Sequence, residues 1–473
     1  MVRGLALGDF TVNLGQGLTQ WQTIAFTKGG SVLDIKRQAS WLRPYHSAGE
    51  FNFHRGFGIN LKKGNWNSSL FISSQKISSN PDSDTSGRED IFTSFENSGY
   101  HRTPNEIADR NNNNQFSAGG NLNFSTASLS LSMNCIHFRF SHPFQKKDEP
   151  YNLYSFKGHS LSNASFDYGY TFRNIHLFGE LAADRERHLA FVQGALLGLG
   201  DQVDLAFLYR NISAAYQSIY SDAFTENGSP VNEKGLYTGI SFRPQSGLRV
   251  EMYYDLFVFP WLKYRVDAPS KGNDFLIRAF FQPDKSWYLS FTYKTEKKAG
   301  NGEISQMSAH PVFSPVKKRW QLEMGYKIDR NWRIKSRMEA IWIRKDWVEI
   351  KTKPEGFLGF LDIFYNSRIL NGNLRIQRFL TPGYDFRIYI YESDMLFNFS
   401  LPSYFDNGWR YYINLHKGFL LDKTSGIASR RKLNVWIKWG ESIYPGKAFT
   451  GSSLDRINGD RKTTISVQLR INW

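Results

Sequence analysis

Near the C-terminal end of the chain every odd position from Ile465 to Trp473 is apolar and every even position from Lys462 to Asn472 is polar. A repeat of two marks a strand with one face buried in an apolar phase, whereas a helix repeats near 3.6. A strand that alternates this way and ends on an aromatic ring resembles the closing strand of an outer-membrane barrel, with its apolar side to lipid and its polar side to the lumen. Leu469, Ile471 and Trp473 are therefore the expected C-terminal assembly signal, addressed to the barrel-assembly machinery.

The pattern recurs upstream. Trp320, Leu322, Met324, Tyr326 and Ile328 alternate with Arg319, Gln321, Glu323, Gly325 and Lys327, and Asp329-Arg330-Asn331 turns the chain. The return strand sets Trp332, Ile334, Ser336, Met338, Ala340 and Trp342 on one face and Arg333, Lys335, Arg337 and Glu339 on the other. Leu248, Val250, Met252, Tyr254, Leu256 and Val258 likewise alternate with Arg249, Glu251, Tyr253 and Asp255. Two such strands joined by a tight polar turn form the hairpin unit of a membrane barrel.

Short turns are expected at Lys62 to Asn65, Ser125 to Ala127, Arg173-Asn174, Gly200 to Gln202, Arg243 to Gly247, Pro283 to Ser286 and Asp406 to Gly408. Long polar connections are expected at Ile77 to Asn114, Ser141 to Leu153, Tyr216 to Lys234, Phe259 to Gly272, Lys298 to Val316, Lys345 to Pro354 and Leu420 to Arg430. Outer-membrane barrels keep short turns in the periplasm and long loops outside. The predicted fold is an all-β transmembrane antiparallel up-and-down barrel of roughly 20–22 strands, spanning residues 1–473 as one domain. Residues 77–114 form a long loop that reads equally as a partial plug or lid and as a plain surface loop, with helical pieces expected at Glu89 to Ser98 and Pro104 to Arg110. Thr103-Pro104-Asn105-Glu106 has an N-cap, a proline at the first helical position and an acidic first turn.

Composition agrees with strands in a membrane. The aromatic share of 16% suits girdles of rings at two interfaces. The most apolar run, LAFVQGALLGLG from Leu189 to Gly200, is too short and too rich in glycine for a membrane-spanning helix. Cys135 is the single cysteine, so an internal disulfide is excluded and a small apolar role on one barrel face is expected. The net charge of +16 fits a lumen and loops rich in Lys and Arg facing solvent or anionic lipopolysaccharide. It also fits an anionic cargo such as nucleic acid or a polyanionic glycan. The start Met1-Val2-Arg3-Gly4-Leu5 lacks a charged region followed by an apolar one; because a barrel requires export, the chain is expected to be an N-terminally truncated fragment.

Motifs of catalysis and metal binding are missing. The ten histidines are scattered, without a His-Glu-x-x-His pair. Gly440 to Ala448 has the wrong spacing for a phosphate loop and Ala448 where a hydroxyl must reach magnesium. There is no Gly-x-Ser-x-Gly elbow. No cofactor or metal is expected, and no enzyme. The charge candidates are Arg249, Arg319, Arg333, Lys335, Arg337, Glu251, Glu323 and Glu339, which share the polar phase of their strands and are expected to line the lumen, partly as cross-strand ion pairs.

Longer strings resemble a known group. Leu7 to Trp21, Ile35-Lys36-Arg37, Arg43-Pro44-Tyr45, Ser98 to Glu106, Tyr220 to Asn227, Phe259 to Leu262 and Val266 to Ser270 are similar to barrel domains of Bacteroidota outer-membrane proteins. In that family a competence-type helix-hairpin-helix region commonly precedes the barrel. That region is absent from this chain, so the resemblance carries DNA binding to none of its residues. The function expected is a non-catalytic conduit or assembly platform in the envelope. The alternatives are a DNA-uptake component whose DNA-binding segment lies upstream, and an outer-membrane hydrolase. Expected partners are membrane lipid, lipopolysaccharide, the assembly machinery and periplasmic or surface subunits; nucleic acid enters only through the missing region.

Overall fold

A computed structural model describes all residues except 30, 47–48, 50, 84–89, 303–310, 345–354, 422–431 and 473. The predicted connection Lys345 to Pro354 and the terminal Trp473 lie outside the described residues, as do most of Leu420 to Arg430 and part of Lys298 to Val316. Among the described residues twenty long strands carry the fold. The first ten are β1 (Val2–Val12), β2 (His54–Lys63), β3 (Trp66–Ile77), β4 (Asn113–Ser125), β5 (Leu129–Gln145), β6 (Lys157–Phe172), β7 (Ile175–Asp184), β8 (Leu189–Leu199), β9 (Val203–Ile212) and β10 (Glu233–Gln245). The second ten are β11 (Leu248–Phe259), β12 (Ser270–Phe281), β13 (Trp287–Lys297), β14 (Val316–Lys327), β15 (Trp332–Arg344), β16 (Glu355–Asn366), β17 (Asn371–Leu380), β18 (Asn407–Leu420), β19 (Lys432–Ile443) and β20 (Arg461–Asn472). With the short strands Leu42–Pro44, Ser79–Ser83 and Asp90–Phe95 they make up a sheet of 23 strands. The fold is the transmembrane antiparallel up-and-down β-barrel, and the twenty long strands agree with the number read from alternation.

The chain divides into two compact units, the first of Met1–Phe242, Glu251–Asp274 and Lys298–Ser314, the second of Arg243–Val250, Phe275–Lys297 and Pro315–Trp473. Within the first, β1 to β10 pair antiparallel with their sequence neighbours. Within the second, β13 to β20 do the same. The pairs joined by short turns close locally, because a turn of few residues brings the next strand back into register before the chain can wander, whereas the pairs between them are joined by long connections.

Burial follows the predicted period. On β11 Met252, Tyr254, Leu256 and Val258 are exposed while Glu251, Tyr253, Asp255 and Phe257 are buried. On β14 Trp320, Leu322, Met324 and Tyr326 are exposed and their neighbours are more covered. An exposed apolar face costs little only in hydrocarbon, where the buried polar face is satisfied by the chain's own groups or by lumenal water. Rings crowd the turn end of the exposed face, as in the pairs Trp66–Phe124 at 5.0 Å and Trp332–Tyr365 at 4.7 Å. Ile471 and Leu469 point to the same phase, opposite Leu433 and Val435 on β19. Cys135 is on the exposed face of β5.

The structure corrects two readings of connections. Asp406 to Gly408 is no short turn: β17 ends at Leu380 and β18 begins at Asn407, so the chain spends residues 381–406 in one long excursion. Asp90–Phe95 is a strand and not the helix expected across 89–98. Its pairing with Ser79–Ser83 buries Ile91 and Phe92, and Phe92 meets Phe140 and Phe144 at 5.3 and 5.0 Å. Aromatic burial on a pleated surface outweighs a weak helical propensity here.

The other predicted helix forms as α1 (Pro104–Ala108). The Thr103 hydroxyl accepts the Glu106 N–H at 3.1 Å, and the Glu106 carboxylate accepts the N–H groups of Thr103 at 3.2 Å and Arg102 at 2.6 Å, a reciprocal capping box. The Arg102 N–H, more than any other neighbour, holds the Glu106 carboxyl below its ordinary value. Thr103→Ala is expected to destabilise this turn by about 1 kcal/mol. Amide exchange should accelerate at Glu106 and Ile107 and stay unchanged in β4; equal acceleration in both would contradict a local cap.

Candidate functional site

The inner face of the first unit is filled by the chain itself. After β1 the segment 13–41 leaves the wall at Asn13, whose side chain accepts the N–H groups of Gln22 and Thr23 at 3.0 Å each and donates to Thr23 Oγ1 and Ser40 O at 2.9 Å. Gln22 Oε1 in turn accepts the Val12 N–H at 2.9 Å. Leu14, Leu18, Gln20, Trp21 and Ile35 are all buried. Glu180 on β7 is the wall's anchor for this segment: its carboxylate accepts the N–H of Gln16 at 2.6 Å and of Leu18 at 3.1 Å. Gly15 makes room for it, since a Cβ there, at φ +52°, would lie 2.6 Å from the carboxyl carbon.

A second inward segment, 213–232 between β9 and β10, locks against the first. Asp222 N donates to Gly17 O at 3.0 Å, and Trp21 N to Tyr220 O at 2.6 Å. The Tyr216 hydroxyl donates to Leu18 O at 3.0 Å, and Arg37 reaches Asp222 O at 2.8 Å and Ala223 O at 3.1 Å. Beside them lies a buried ion network. Arg210 donates to Glu233 at 2.5 Å and, with both terminal nitrogens, to Asp255 at 2.8 and 3.0 Å. Lys28 sits on Asp255 at 2.5 Å and also pairs with Glu226. The guanidinium fits because Gly235 faces it across the β9–β10 ladder, where any Cβ would overlap it. Buried charges of this kind persist only when every one is matched.

The second unit has its own inward piece, residues 381–406. A short hairpin pairs Ile388 with Tyr404 and Tyr389 with Ser403, and puts Phe386, Ile388, Ile390 and Tyr404 against Ile341, Leu358 and Phe379 of the wall. Glu392 fixes it: the carboxylate accepts from Arg410 at 3.1 and 3.3 Å, from Lys438 at 3.2 Å and from the Tyr404 hydroxyl. Arg375 forks onto Asp362 with two bonds of 2.6 Å and donates to Tyr391 O at 2.8 Å.

Between this hairpin and the wall lies a cavity of about 370 Å³ lined by Tyr288, Arg333, Lys335, Arg337, Asp362 and Arg375, among others. Its four cations face one carboxylate, which Arg375 already occupies. Lys335 pairs with Glu323 at 3.1 Å, and Arg337 with Glu339 and Gln321 at 2.6 Å each. Arg333 has no ion pair among the described residues and lies over the Phe364 ring at 4.2 Å. Such a lining can receive a small carboxylate or phosphate through forked N–H donors.

Three of the predicted charges thus line one cavity, Arg333, Lys335 and Arg337, and two more touch it through their partners, Glu323 and Glu339. Arg319 pairs with Glu339 at 3.6 Å. Arg249 stands apart near the turn after β10, its guanidinium 5.6 Å from the Phe280 ring, and Glu251 is buried in the first unit. Sequence reasoning missed several fully buried charges, among them Arg210, Glu233, Arg375 and Glu392. The inward phase of Arg210 was visible, but its partners come from other strands and from the inward segments, which no single hairpin reveals. Among the described residues no group of three or more His, Cys, Asp or Glu could hold a metal ion, and no helix is long and apolar enough to cross a membrane.

No protein-family model matches the chain, and no curated protein does. Solved structures with likeness include the FrpB iron transporter of Neisseria meningitidis in its F5-1 apoprotein form, at 9% identity over 90% of this chain and 72% of that one, with a TM-score of 0.45. OccK10 of Pseudomonas aeruginosa is similar at 9% identity over 69% of this chain and 88% of that one, TM-score 0.35. OmpT of Vibrio cholerae is similar at 9% identity over 69% and 91%, TM-score 0.31. On the strength of its own strand period, hairpin register and lipid-facing side chains, the chain is a β-barrel protein of the bacterial outer membrane.

Proposed function

We propose that this barrel is a non-catalytic assembly platform of the envelope and not a standing open pore. One observation carries the reading: the inner face of the first unit is occupied by residues 13–41 and 213–232, which are hydrogen-bonded to the wall and to each other. Water and ions cannot share space with side chains packed to this degree. Its partners on this reading are membrane lipid and lipopolysaccharide around the wall and envelope subunits at its edges. The intact chain in planar bilayers is expected to give no large steady conductance, and photo-crosslinkers placed at the strand edges in cells should trap a defined envelope protein. A steady ohmic pore without any trapped partner would sink the proposal.

The cationic cavity of the second unit favours a second reading, a narrow path for small anions. Under a salt gradient that path would show as a small anion-selective current, weakened in Arg333→Ala, because a lining cation sets the sign of the ion that enters. A cation-selective current, or one indifferent to Arg333, would remove this reading and leave the first.

A further inference from the structure

The long connections of the first unit form a groove. Its larger part, about 720 Å³, is lined by Lys146 and Lys147 of the β5–β6 connection, by 227–232 of the β9–β10 connection and by Trp261 to Tyr264 of the β11–β12 connection. All three connections join strand ends on one edge, the edge of the long loops, which outer-membrane barrels turn outward. A second part of about 570 Å³ adjoins it, sharing Thr93, Ser94, Lys146, Gly228 and Ser229, so the groove is elongated.

Rings and ammonium groups dominate the larger part. Tyr151 and Tyr264 meet edge to face at 5.9 Å, and Tyr154 and Trp261 do so at 5.1 Å, both at 71°. An edge-to-face pair covers at most one face of one ring, and Tyr264, with Arg265 over one side at 5.2 Å, is still 67% exposed and Tyr154 40%. The rings sit on a held backbone. Asn232 donates to Trp261 O at 2.9 Å and accepts the Trp261 N–H at 2.8 Å, while the indole N–H donates to Pro150 O at 3.1 Å. Lys263 is turned back by its bridge to Val266 and stands over Phe259 at 3.4 Å. Among the described residues no carboxylate lines this part, and neither Lys146 nor Lys147 has an ion-pair partner there.

We propose that this groove binds an acidic oligosaccharide, a sugar chain bearing carboxylates. Open ring faces receive the C–H faces of sugar rings, the lysines receive its carboxylates, and the side chains of Asn152, Gln217 and Asn227 meet its hydroxyls. Single-stranded nucleic acid also stacks on rings, but it brings one phosphate per base and is held along a track of cations. Three lysines and no arginine line the larger part, and the adjoining part adds one carboxylate, Asp222, which Arg37 neutralises; this lining answers a sparser charge. The groove does not depend on whether the barrel conducts.

The test is calorimetric titration of the intact chain, in a polyoxyethylene detergent that carries no sugar, with oligogalacturonate, a neutral malto-oligosaccharide and oligothymidylate. Oligogalacturonate is expected to bind, more weakly as salt rises. Tyr154→Ala, Tyr264→Ala and Lys146→Gln should each weaken it by about tenfold, the effect of losing one stacking face or one charge contact. All three side chains are exposed, and heat-modifiable migration on gels verifies that each variant folds. Absence of binding, equal binding of the neutral sugar, tighter binding of oligothymidylate, or indifference to all three variants would each overturn the proposal.

Discussion

Arg210→Met is expected to be the most damaging single change in the wall, lowering stability by about 3–5 kcal/mol, the usual cost of stranding a buried charge. The side chain is fully buried, and its three bonds are the link between Glu233 and Asp255. Methionine fills similar volume, so the loss would come from two carboxylates facing each other, Asp255 keeping Lys28 and Glu233 left with the N–H groups of Glu226 and Asn227. The measurement is the temperature at which the heat-modifiable band is lost. Combining Arg210→Met with Glu233→Gln and Asp255→Asn should recover part of the loss, since it removes the uncompensated charge. If the triple variant melts no higher than the single one, packing and not charge holds this region. Gly235→Ala should approach the single variant, because its Cβ would displace the same guanidinium.

Glu180→Leu should release the first inward segment while leaving the wall in place. The two N–H groups that the carboxylate accepts, of Gln16 and Leu18, are buried with it. Leaving a buried donor unsatisfied costs about 1–3 kcal/mol, and the substitution strands two of them away from water. Amide exchange in residues 14–20 should rise steeply, while β7 and β8 keep their protection, and bilayer recordings should gain openings that the unaltered chain lacks. Unchanged exchange in 14–20 would mean that the contacts with 213–232 hold the segment alone. Gly15→Ala should act in the same direction, since it combines a collision with the Glu180 carboxyl and a left-handed backbone that alanine adopts poorly.

The wall was legible because its physics is local. Whether Met252 or Glu251 faces lipid depends on the parity of one strand, and parity is written in neighbouring letters. The errors came where a second surface competes. Asp90–Phe95 could be taken for a helix until Ser79–Ser83 and the rings of β5 are placed beside it. Asp406 to Gly408 looked like a turn because its residues are turn formers, yet Asp406 ends an excursion of the chain that began after Leu380.

The inward segments mark the boundary of such reasoning. Leu14, Leu18 and Ile35 show no strand period and no helix period, and their burial depends on residues more than a hundred positions away, Glu180 of the wall and Tyr216 of the second inward segment. Arg333, Lys335 and Arg337 were recognisable as one polar phase of β15, but the cavity they line exists because Ile390, Tyr391 and Ser393 fold back beneath them. Alternation along each strand settles fold class, membrane face and the polarity of the inner surface, since these follow from nearest-neighbour geometry and the transfer of side chains into hydrocarbon. The filling of that surface and the pairing of its charges depend on contacts distant in sequence, and only the folded chain brings those groups within hydrogen-bonding reach.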